Sequence, residues 1–454
     1  MTKVLDVGSA LDEGTWSPYQ KLLVVGTALA IILDGLDNQL LGAALPAMMK
    51  EWAVPRSAFA TVLASGFVGM MIGGATGGFI GDRVGRRTAL LGSVIAFGAL
   101  TVLVSFSSGL VMLGALRFLA GLGLGGAMPN AAALSSEYVP LRRRPFAVTL
   151  TIVCIPLGGT LAGLMGATIL PDYGWRVLFL VGGSVPLVLA GVLFKVLPES
   201  PRYLARTRER WPELVALLRR LGYDVAHDTT FVDAREKAVA PSPRELLVPE
   251  FRRDTLALCA SFFFCLLSVY IGTNWVPTLL RNAGFDAVIA GYGLTVFNLG
   301  GVVGAIGGAI LIGRYGSRIT MLTMGAGAIA GAALLASVSI SAQSAFAVLA
   351  MLAWTGGLIN AVQTTMYALA AHAYPTGIRA TGVGTAVAFG RIGGVVSPYA
   401  GAWALDAGGA SLLFAVIAAT MTLVFAALAA VRNHIPRFQF VRVARPVAPE
   451  PARH

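Results

Sequence analysis

The stretch GFIGDRVGRR, Gly78 to Arg87, joins two long apolar runs through a short and strongly charged loop. Gly78 allows two helices to approach closely and Gly85 permits a tight turn, while Asp82 can cap a neighbouring helix or pair with an arginine. Positive charge in such a loop marks the cytoplasmic side of a membrane protein, and here it comes from Arg83, Arg86 and Arg87. The stretch therefore predicts a cytoplasmic turn between two membrane-spanning helices.

The composition of the whole chain agrees with a membrane protein. The 454 residues are 56% hydrophobic and 12% charged, and the mean hydropathy is +0.76, which excludes an ordinary soluble domain. The apolar runs are about 20–25 residues long, enough for a helix to cross a bilayer. Their number predicts an all-α integral membrane protein with about twelve transmembrane helices.

Charge along the chain predicts its orientation and its division into regions. Arginine-rich loops alternate with loops that carry few cations, so both termini should face the cytoplasm. We expect a cytoplasmic N-terminal segment, a six-helix bundle, a cytoplasmic linker with an amphipathic helix lying on the membrane surface, a second six-helix bundle and a basic cytoplasmic tail, at residues 1–21, 22–197, 198–253, 254–431 and 432–454.

The net charge of +12 is explained by this loop bias, so we expect attraction to anionic lipid headgroups rather than binding to nucleic acid. The cysteines lie in apolar runs and are interpreted as small core side chains, with no disulfide, metal or cofactor chemistry. They are Cys154, Cys259 and Cys265.

An internal repeat indicates two pseudo-symmetric halves. The segment SEYVPLRRR, Ser136 to Arg144, aligns with AHAYPTGIR, Ala371 to Arg379, so that Glu137 matches His372 and Arg144 matches Arg379. The charged loop also has a second copy, GRYGSR, in which Gly313 replaces Asp82. Duplicated six-span units of this kind are typical of secondary transporters.

With the repeat, the pattern G-x-x-x-D-R-x-G-R-R resembles the signature loop of the major facilitator superfamily. RFLAGLGLG, Arg117 to Gly125, resembles that superfamily's glycine-rich pattern in span four. DGLD at Asp34 to Asp37, GLGLGGAMPNAAALSSEY after Arg117, and RATGVGTAVAFGRIGG at Arg379 to Gly394 are similar to the aromatic acid:H⁺ symporter family.

The resemblance implies import of benzoate-type, hydroxybenzoate-type or phenylpropionate-type acids across the bacterial inner membrane, driven by a proton gradient and without a cofactor. It implies a proton-coupling and transport role for Asp34, Asp37 and Arg117. Glu137, Arg379 and Arg391 fall at charged positions of the family.

The angle and the rise per residue of a helix predict which of these charges lie close together. Residues three apart on a helix lie about 60° apart around its axis, so Asp34 and Asp37 can face one cavity. At about 1.5 Å per residue, Arg117 lies at the level of Asp37 and Arg391 lies near the midplane. We expect a desolvated, paired aspartate to trade its proton with Arg117 during alternating access, and Arg391 to bind the substrate carboxylate bidentately. A purely structural helix-joining role is the alternative for each arginine.

Further candidates surround these charges. The substrate ring and its polar groups are expected to contact Tyr270, Asn274, Asn298, Trp354, Gln363 and Tyr367, with Asn298 and Gln363 as the better polar contacts. Gating is expected from Asp82, Arg83, Arg86, Arg87, Glu137, Arg144, His372 and Arg379, with Glu137 at the cytoplasmic interface beside Arg142 to Arg144. Each of these could also be an ordinary packing or interfacial residue.

Other functions remain open at this point. A drug/H⁺ exporter, a symporter of another organic anion or of a sugar, and a membrane receptor share the expected fold. An enzyme is disfavoured because the sequence has no nucleophile–base motif, metal cluster or nucleotide loop. We expect the protein to act as a monomer.

Overall fold

The computed structural model describes residues 4–223, 225, 229–233, 242–375 and 377–437, with the backbone alone at 145, 146, 148, 149 and 243. Parts of the expected linker, and 438–454 of the expected tail, therefore lie outside the described residues. The described chain is helical apart from a two-stranded sheet that the sequence did not indicate.

The helices and strands follow one another along the chain in this order: β1 Val4–Asp6, α1 Val7–Glu13, α2 Pro18–Trp52, α3 Arg56–Val84, α4 Arg86–Val104, α5 Leu110–Tyr138, α6 Arg144–Val196, α7 Pro201–Arg206, α8 Trp211–Arg220, β2 Thr230–Val232, α9 Pro249–Asn282, α10 Ala287–Tyr315, α11 Ser317–Ser337, α12 Ala345–Ala373 and α13 Arg379–Ala430.

Within the described residues, 10 helices are long and apolar enough to cross a membrane. Helices α6 and α13 stand out because they have 53 and 52 residues, which would extend about 80 Å if straight. Each contains one glycine with a positive φ angle, Gly174 at 76° and Gly409 at 61°. The chain changes direction at both glycines, which stand at corresponding positions of the repeat.

The helices form two halves, α2–α6 and α9–α13, that meet along α2 with α9, α3 with α13, and α6 with α10. Inside the first half, α2 and α6 touch through their backbones. A Cβ atom on Gly158 would lie 2.0 Å from the carbonyl oxygen of Ile32, and one on Gly35 would lie 2.3 Å from that of Ile155. Small residues at such crossings let membrane helices pack by close van der Waals contact.

One end of the bundle carries additional structure, and we call it the terminal face. There β1 pairs in parallel with β2, with Leu5 opposite Phe231. Arg144 and Arg202 both pair with Asp12 of α1, and Arg202 and Arg206 pair with Asp233 beyond β2. The N-terminal segment and the linker are thus joined to the first half.

The linker contains helix α8, whose apolar side chains Leu214, Leu217 and Leu218 are all buried. Trp211 at its start donates a hydrogen bond to the carbonyl of Ala205 and packs edge-on against Phe231. The apolar side of α8 therefore packs against protein, and the location of this helix on the membrane surface stays a prediction.

The backbone contact between α2 and α6 leads to a stability prediction. Gly158→Ala should lower the thermal unfolding midpoint of the purified protein, because its new methyl group meets the backbone of α2; overpacking of this kind costs about 1–3 kcal/mol. Gly191→Ala in the same helix is the matched control, since nothing lies within 4 Å of its Cβ position. Equal midpoints for the two variants would contradict the close contact.

Candidate functional site: a charged cavity between the halves

A central cavity with a free volume of about 40 Å³ lies where the two halves meet. Its polar lining consists of Asp34, Asn38, Tyr270, Gln363, Tyr367 and Arg391. Its apolar lining consists of Phe67, Met70, Leu124, Met128, Ile155, Leu266 and Val387. Since a buried water needs about 10–15 Å³, the cavity has room for a few waters in this conformation, and a ring-sized ligand requires it to widen.

Asp34 contributes a buried carboxylate to this cavity from the middle of α2. The residue is 5% exposed, and its Oδ1 atom has no hydrogen-bond partner among the described residues. An isolated carboxylate in such surroundings is costly when charged. Asp34 is thus placed to take up a proton or to face a cationic partner across the cavity.

Asp37 lies three residues further along α2 and is fully enclosed. Nη1 of Arg117 donates to its Oδ2 at 3.1 Å, and Nη2 donates to its backbone carbonyl at 3.3 Å. The Thr101 hydroxyl donates to its Oδ1. The structure thus brings Asp37 and Arg117 together, at side-chain exposures of 0% and 5%. The pair joins α2 to α5, and Thr101 adds α4.

The two aspartates do not line one cavity as the sequence suggested. Asp34 lines the central cavity, whereas Asp37 points to Arg117. A smaller cavity of about 10 Å³ adjoins both regions, because it shares Asn38, Phe67, Met70 and Leu124 with the central cavity and is also lined by Arg117. Its volume matches about one water molecule.

Arg391 enters the central cavity from α13, in the second half of the chain. Its Nη1 atom donates to the backbone carbonyl of Met70 on α3 at 2.6 Å. A Cβ atom on Gly74 would lie 3.1 Å from the guanidinium carbon, so the glycine makes room for this contact. In this conformation the arginine links the halves while facing the cavity that contains Asp34.

Aromatic rings form two sides of the cavity. Tyr270 and Phe67 contact each other across the halves, with ring centroids 4.4 Å apart. Tyr367 packs edge-on against Phe262 at 5.2 Å. Tilted and edge-on arrangements are favourable for aromatic pairs, so the cavity offers ring surfaces beside its charged groups.

Three of the expected ring contacts do not line the central cavity. Asn298 is fully buried and exchanges two amide hydrogen bonds with Gln39, at 2.7 and 3.1 Å. Asn274 is also buried, while Trp354 is 60% exposed and donates to the carbonyl of Gly327. In this conformation these three side chains face a neighbouring helix or the outside, and their contact with a substrate ring stays a prediction.

The charged loop at the terminal face forms local contacts. Asp82 pairs with Arg86 one turn along, and Arg83 lies over the ring of Phe79 at 4.0 Å. Arg87 contacts the ring and the carbonyl of Phe194, and its backbone N–H donates to the Glu199 carboxylate at 2.8 Å. The loop is therefore anchored to α6 and to the start of the linker.

The remaining gating candidates lie at the same face. The carboxylate of Glu137 accepts a hydrogen bond from the Ser200 hydroxyl, while Arg144 pairs with Asp12 and donates to the carbonyl of Ser136 at 2.8 Å. In the second half, Nε of Arg379 donates to the carbonyl of Tyr374 at 3.4 Å, and His372 occupies the last turn of α12. The sequence suggested that Glu137 lies beside Arg142 to Arg144. It did not indicate Ser200 as the partner of Glu137 or Asp12 as the partner of Arg144, because both partners are distant in sequence.

Sequence reasoning also missed residues that the structure makes prominent. Asn38 lines both central cavities, and Gln39 bonds across the halves to Asn298. Both are amides directly after Asp37, and an amide inside a span needs a partner or a wet cavity. Their position in the first span was the signal that could have identified them.

The face opposite the terminal face is closed by a contact between the halves. Arg56 at the start of α3 pairs with Asp406 near the break in α13. Tyr399 of α13 is 3.5 Å from Thr61 of α3, hydroxyl to hydroxyl. Among ion pairs between described residues, only Arg56 with Asp406 joins the two halves.

Comparisons with known proteins agree with this architecture. Residues 27–398 match the Major Facilitator Superfamily. The chain is 34% identical to a gallate transporter of Pseudomonas putida over 416 residues, which cover 91% of this chain and 92% of that protein. It is also 34% identical to the 4-hydroxybenzoate transporter PcaK of Pseudomonas putida, over 89% of this chain and 91% of the relative.

A solved structure shares the fold. The crystal structure of a D-xylose-proton symporter superposes with a TM-score of 0.69 and 18% identity, covering 92% of this chain and 98% of the other. At that identity the likeness supports the arrangement of helices and nothing about the ligand.

The enclosed Asp37–Arg117 pair yields a prediction from a double-mutant cycle. Asp37→Asn and Arg117→Gln should each lower the free energy of unfolding by roughly 3–5 kcal/mol, because each leaves a buried charge without its partner. The double variant should lose less free energy of unfolding than the two single variants lose together. Thermal unfolding in detergent measures all three losses. The exposed pair Arg210 with Glu213 is the control, with an expected coupling of about 0–1 kcal/mol. If the losses of the two single variants simply added in the double variant, the two side chains would not be coupled, which would contradict the proposed ion pair.

Proposed function

The chain belongs to the Major Facilitator Superfamily, and on that premise we propose that it is a secondary active transporter that imports an aromatic carboxylic acid by proton symport. It is a transporter and not an enzyme. Relatives that carry gallate and 4-hydroxybenzoate match along nearly the whole chain. The observation that carries the proposal is the central cavity, where Arg391, Asp34 and aromatic rings converge.

Arg391 is proposed to bind the substrate carboxylate. A guanidinium can hold a carboxylate through two parallel hydrogen bonds, and in this conformation Nη1 of Arg391 donates to the Met70 carbonyl. Substrate would replace this contact when the cavity widens. Tyr270, Tyr367 and Phe67 are placed to face the ring, and Gln363 to contact its polar substituents.

Asp34 is proposed to carry the coupling proton. When charged, it and Arg391 balance each other within one cavity; when Asp34 is protonated, Arg391 retains its charge for the substrate anion. Proton uptake therefore favours anion binding, and the loaded cavity stays close to neutral, which lowers the cost of enclosing it. Asp37 and Arg117 form the adjoining charge pair, reached through the smaller cavity beside Asn38.

The same proposal includes the topology. Direction changes at Gly174 and Gly409 divide α6 and α13, which turns the 10 long helices into twelve crossings of two six-helix halves. Arginine-rich loops at the terminal face support a cytoplasmic location for that face and for both termini, beside anionic headgroups of a bacterial inner membrane. The transporter is proposed to act as a monomer.

Gating is proposed at both faces. Contact of Arg56 with Asp406 closes the outer face here, so alternating access requires this pair to separate. At the cytoplasmic face the charged groups Asp82, Arg83, Arg86 and Arg87, with Glu137, Arg144, His372 and Arg379, are the groups available to join the halves in the opposite state. In the present state Asp82 pairs with Arg86 within the first half, Glu137 accepts a hydrogen bond from Ser200 of the linker, and Arg379 donates to the carbonyl of Tyr374.

Transport of radiolabelled 4-hydroxybenzoate into proteoliposomes tests the function. An inward gradient of one pH unit supplies about 1.4 kcal/mol per proton, so wild-type protein should accumulate substrate about tenfold per coupled proton. Asp34→Asn should lose this accumulation and retain exchange of labelled for unlabelled substrate, which needs no net proton movement. Glu213→Gln is the control for a carboxylate outside the cavity, and protein-free liposomes measure passive leak.

No gradient-driven accumulation by folded wild-type protein, with 4-hydroxybenzoate, gallate or benzoate, would overturn the proposed function. Accumulation that survives in Asp34→Asn would leave the function standing and remove Asp34 from the coupling.

Substrate affinity tests the role of Arg391. Arg391→Gln should weaken binding of 4-hydroxybenzoate to the purified protein by roughly 1.5–3 kcal/mol, the worth of a hydrogen bond to a charged group. Arg391→Lys should recover only part of this, because an ammonium keeps the charge without the planar fork. Calorimetry measures the affinity of each variant for 4-hydroxybenzoate. The neutral ligand 4-hydroxybenzyl alcohol is the control, and the substitutions should not change its affinity. Unchanged carboxylate binding in Arg391→Gln would refute the assignment.

A further inference from the structure

A second cationic cavity lies at the outer face, between the ends of the first helix of each half. It has a free volume of about 480 Å³ and is lined by Lys50, Arg56, Thr278, Arg281 and Asp406, among others. Ligand sites typically measure about 300–1,000 Å³. We call this space the vestibule.

The charge of the vestibule is uncompensated. Arg56 is paired with Asp406, but among the described residues neither Lys50 nor Arg281 belongs to an ion pair. Both are exposed, and the guanidinium of Arg281 makes one hydrogen bond, from Nη1 to the carbonyl of Phe285 at 2.9 Å. Two positive side chains thus line the vestibule, and Asp406, the carboxylate in its lining, is paired with Arg56 instead.

The internal repeat supplies both cations. LPAMMK, Leu45 to Lys50, closes the first helix of one half, and VPTLLR, Val276 to Arg281, closes that of the other. Lys50 and Arg281 correspond at the same offset that relates Asp82 to Gly313. The two halves therefore present equivalent cations to the space between them.

An apolar recess adjoins the cations. A cavity of about 230 Å³ shares Lys50 and Arg281 with the vestibule and is otherwise lined largely by small and apolar side chains, Ala43, Ala47, Leu170 and Ala290 among them. An aromatic acid whose carboxylate is held by the cations can therefore place its ring against these side chains.

A buried polar atom also faces this region. Thr278 lines the vestibule and is 1% exposed, and its hydroxyl has no hydrogen-bond partner among the described residues. A buried hydroxyl without a partner is unfavourable, and a ligand oxygen would satisfy it.

We propose that the vestibule is a binding site for aromatic carboxylates on the outer face, with Lys50 and Arg281 holding the carboxylate and the recess beside Leu170 receiving the ring. This inference rests on the proposed function for its orientation and its ligand class. A site of this kind concentrates the anion at the closed outer gate before the central cavity becomes accessible. Substrate at Arg281 also lies in the same space as the Arg56–Asp406 pair that must separate.

Protection of Lys50 from acylation tests binding without transport. Purified protein is treated with sulfo-NHS-acetate, and acetylation of Lys50 is followed by peptide mass spectrometry, with Lys195 as the internal reference. 4-Hydroxybenzoate should slow acetylation of Lys50 at least about threefold, and 4-hydroxybenzyl alcohol, which lacks the charge, should not. Arg281→Gln should abolish the protection. Equal labelling with and without the acid, or equal protection by the alcohol, would overturn the inference.

Transport kinetics test the consequence for uptake. Lys50→Gln/Arg281→Gln should raise the KM for 4-hydroxybenzoate about tenfold at roughly 10 mM salt with kcat within about twofold, and the difference should shrink at roughly 200 mM salt, where charges are screened. Lys50→Arg/Arg281→Lys keeps both charges and should restore the KM. Arg176→Gln removes an outer-face cation that pairs with Glu51 outside the vestibule and should behave as wild type.

The two proposals fail in different ways. Uptake that is unchanged in the vestibule variants, together with unprotected Lys50, would refute the vestibule and leave the transporter standing. Protection of Lys50 without gradient-driven uptake of any aromatic acid would support the vestibule as a carboxylate site and refute the proposed function.

Discussion

The ion pair between Asp37 and Arg117 is the interaction on which the first half of the molecule depends. A single charge in the middle of a bundle surrounded by lipid is expensive, so each partner is tolerable only with the other present. The pair and the Thr101 hydroxyl hold α2, α4 and α5 at one level. This fixes the rotation of α2, and with it the position of Asp34 one turn earlier on the face that lines the central cavity.

Fixing α2 in this way also explains its contacts with the rest of the bundle. One side of the helix touches the α6 backbone near Gly158, another carries Gln39 to Asn298 of α10, and a third carries Asp34 to the cavity. A helix with such different neighbours cannot have one apolar and one polar face. Helix α2 therefore contacts both halves, and it carries Asp34 at the central cavity as well as Asp37 beside Arg117.

Several features were predictable from the sequence because they depend on distance along a helix or on local charge. The rise per residue placed Arg117 level with Asp37, and the charged loop at Asp82 marked the turn between α3 and α4. Helix rotation was not predictable. In a membrane protein both the lipid side and the protein side of a helix are apolar, so periodicity did not separate Trp354, which is exposed, from Tyr367, which lines the cavity.

The terminal face shows a second limit. The pairing of Leu5 with Phe231, and of Asp12 with Arg144, joins segments that are far apart in the chain, and neither member carries a local pattern that indicates its partner. The N-terminal segment was therefore predicted only as a cytoplasmic segment, without a helix or a strand. The strand and helix of the N-terminal segment depend on contacts with the linker, in which β2 pairs with β1 and Arg202 pairs with Asp12.

The two halves are related by the internal repeat but divide the proposed chemistry unequally. Asp34, Asp37 and Arg117 all belong to the first half, and Arg391 belongs to the second. A relative movement of the halves therefore changes the distance between Asp34 and Arg391 while leaving the Asp37–Arg117 pair intact. In a low-dielectric bundle, separating opposite charges is unfavourable unless each is neutralised. A proton on Asp34 and a carboxylate on Arg391 satisfy this condition together, and neither does so alone. The distribution of charge between the halves thus gives a physical reason why proton and anion should move as a unit.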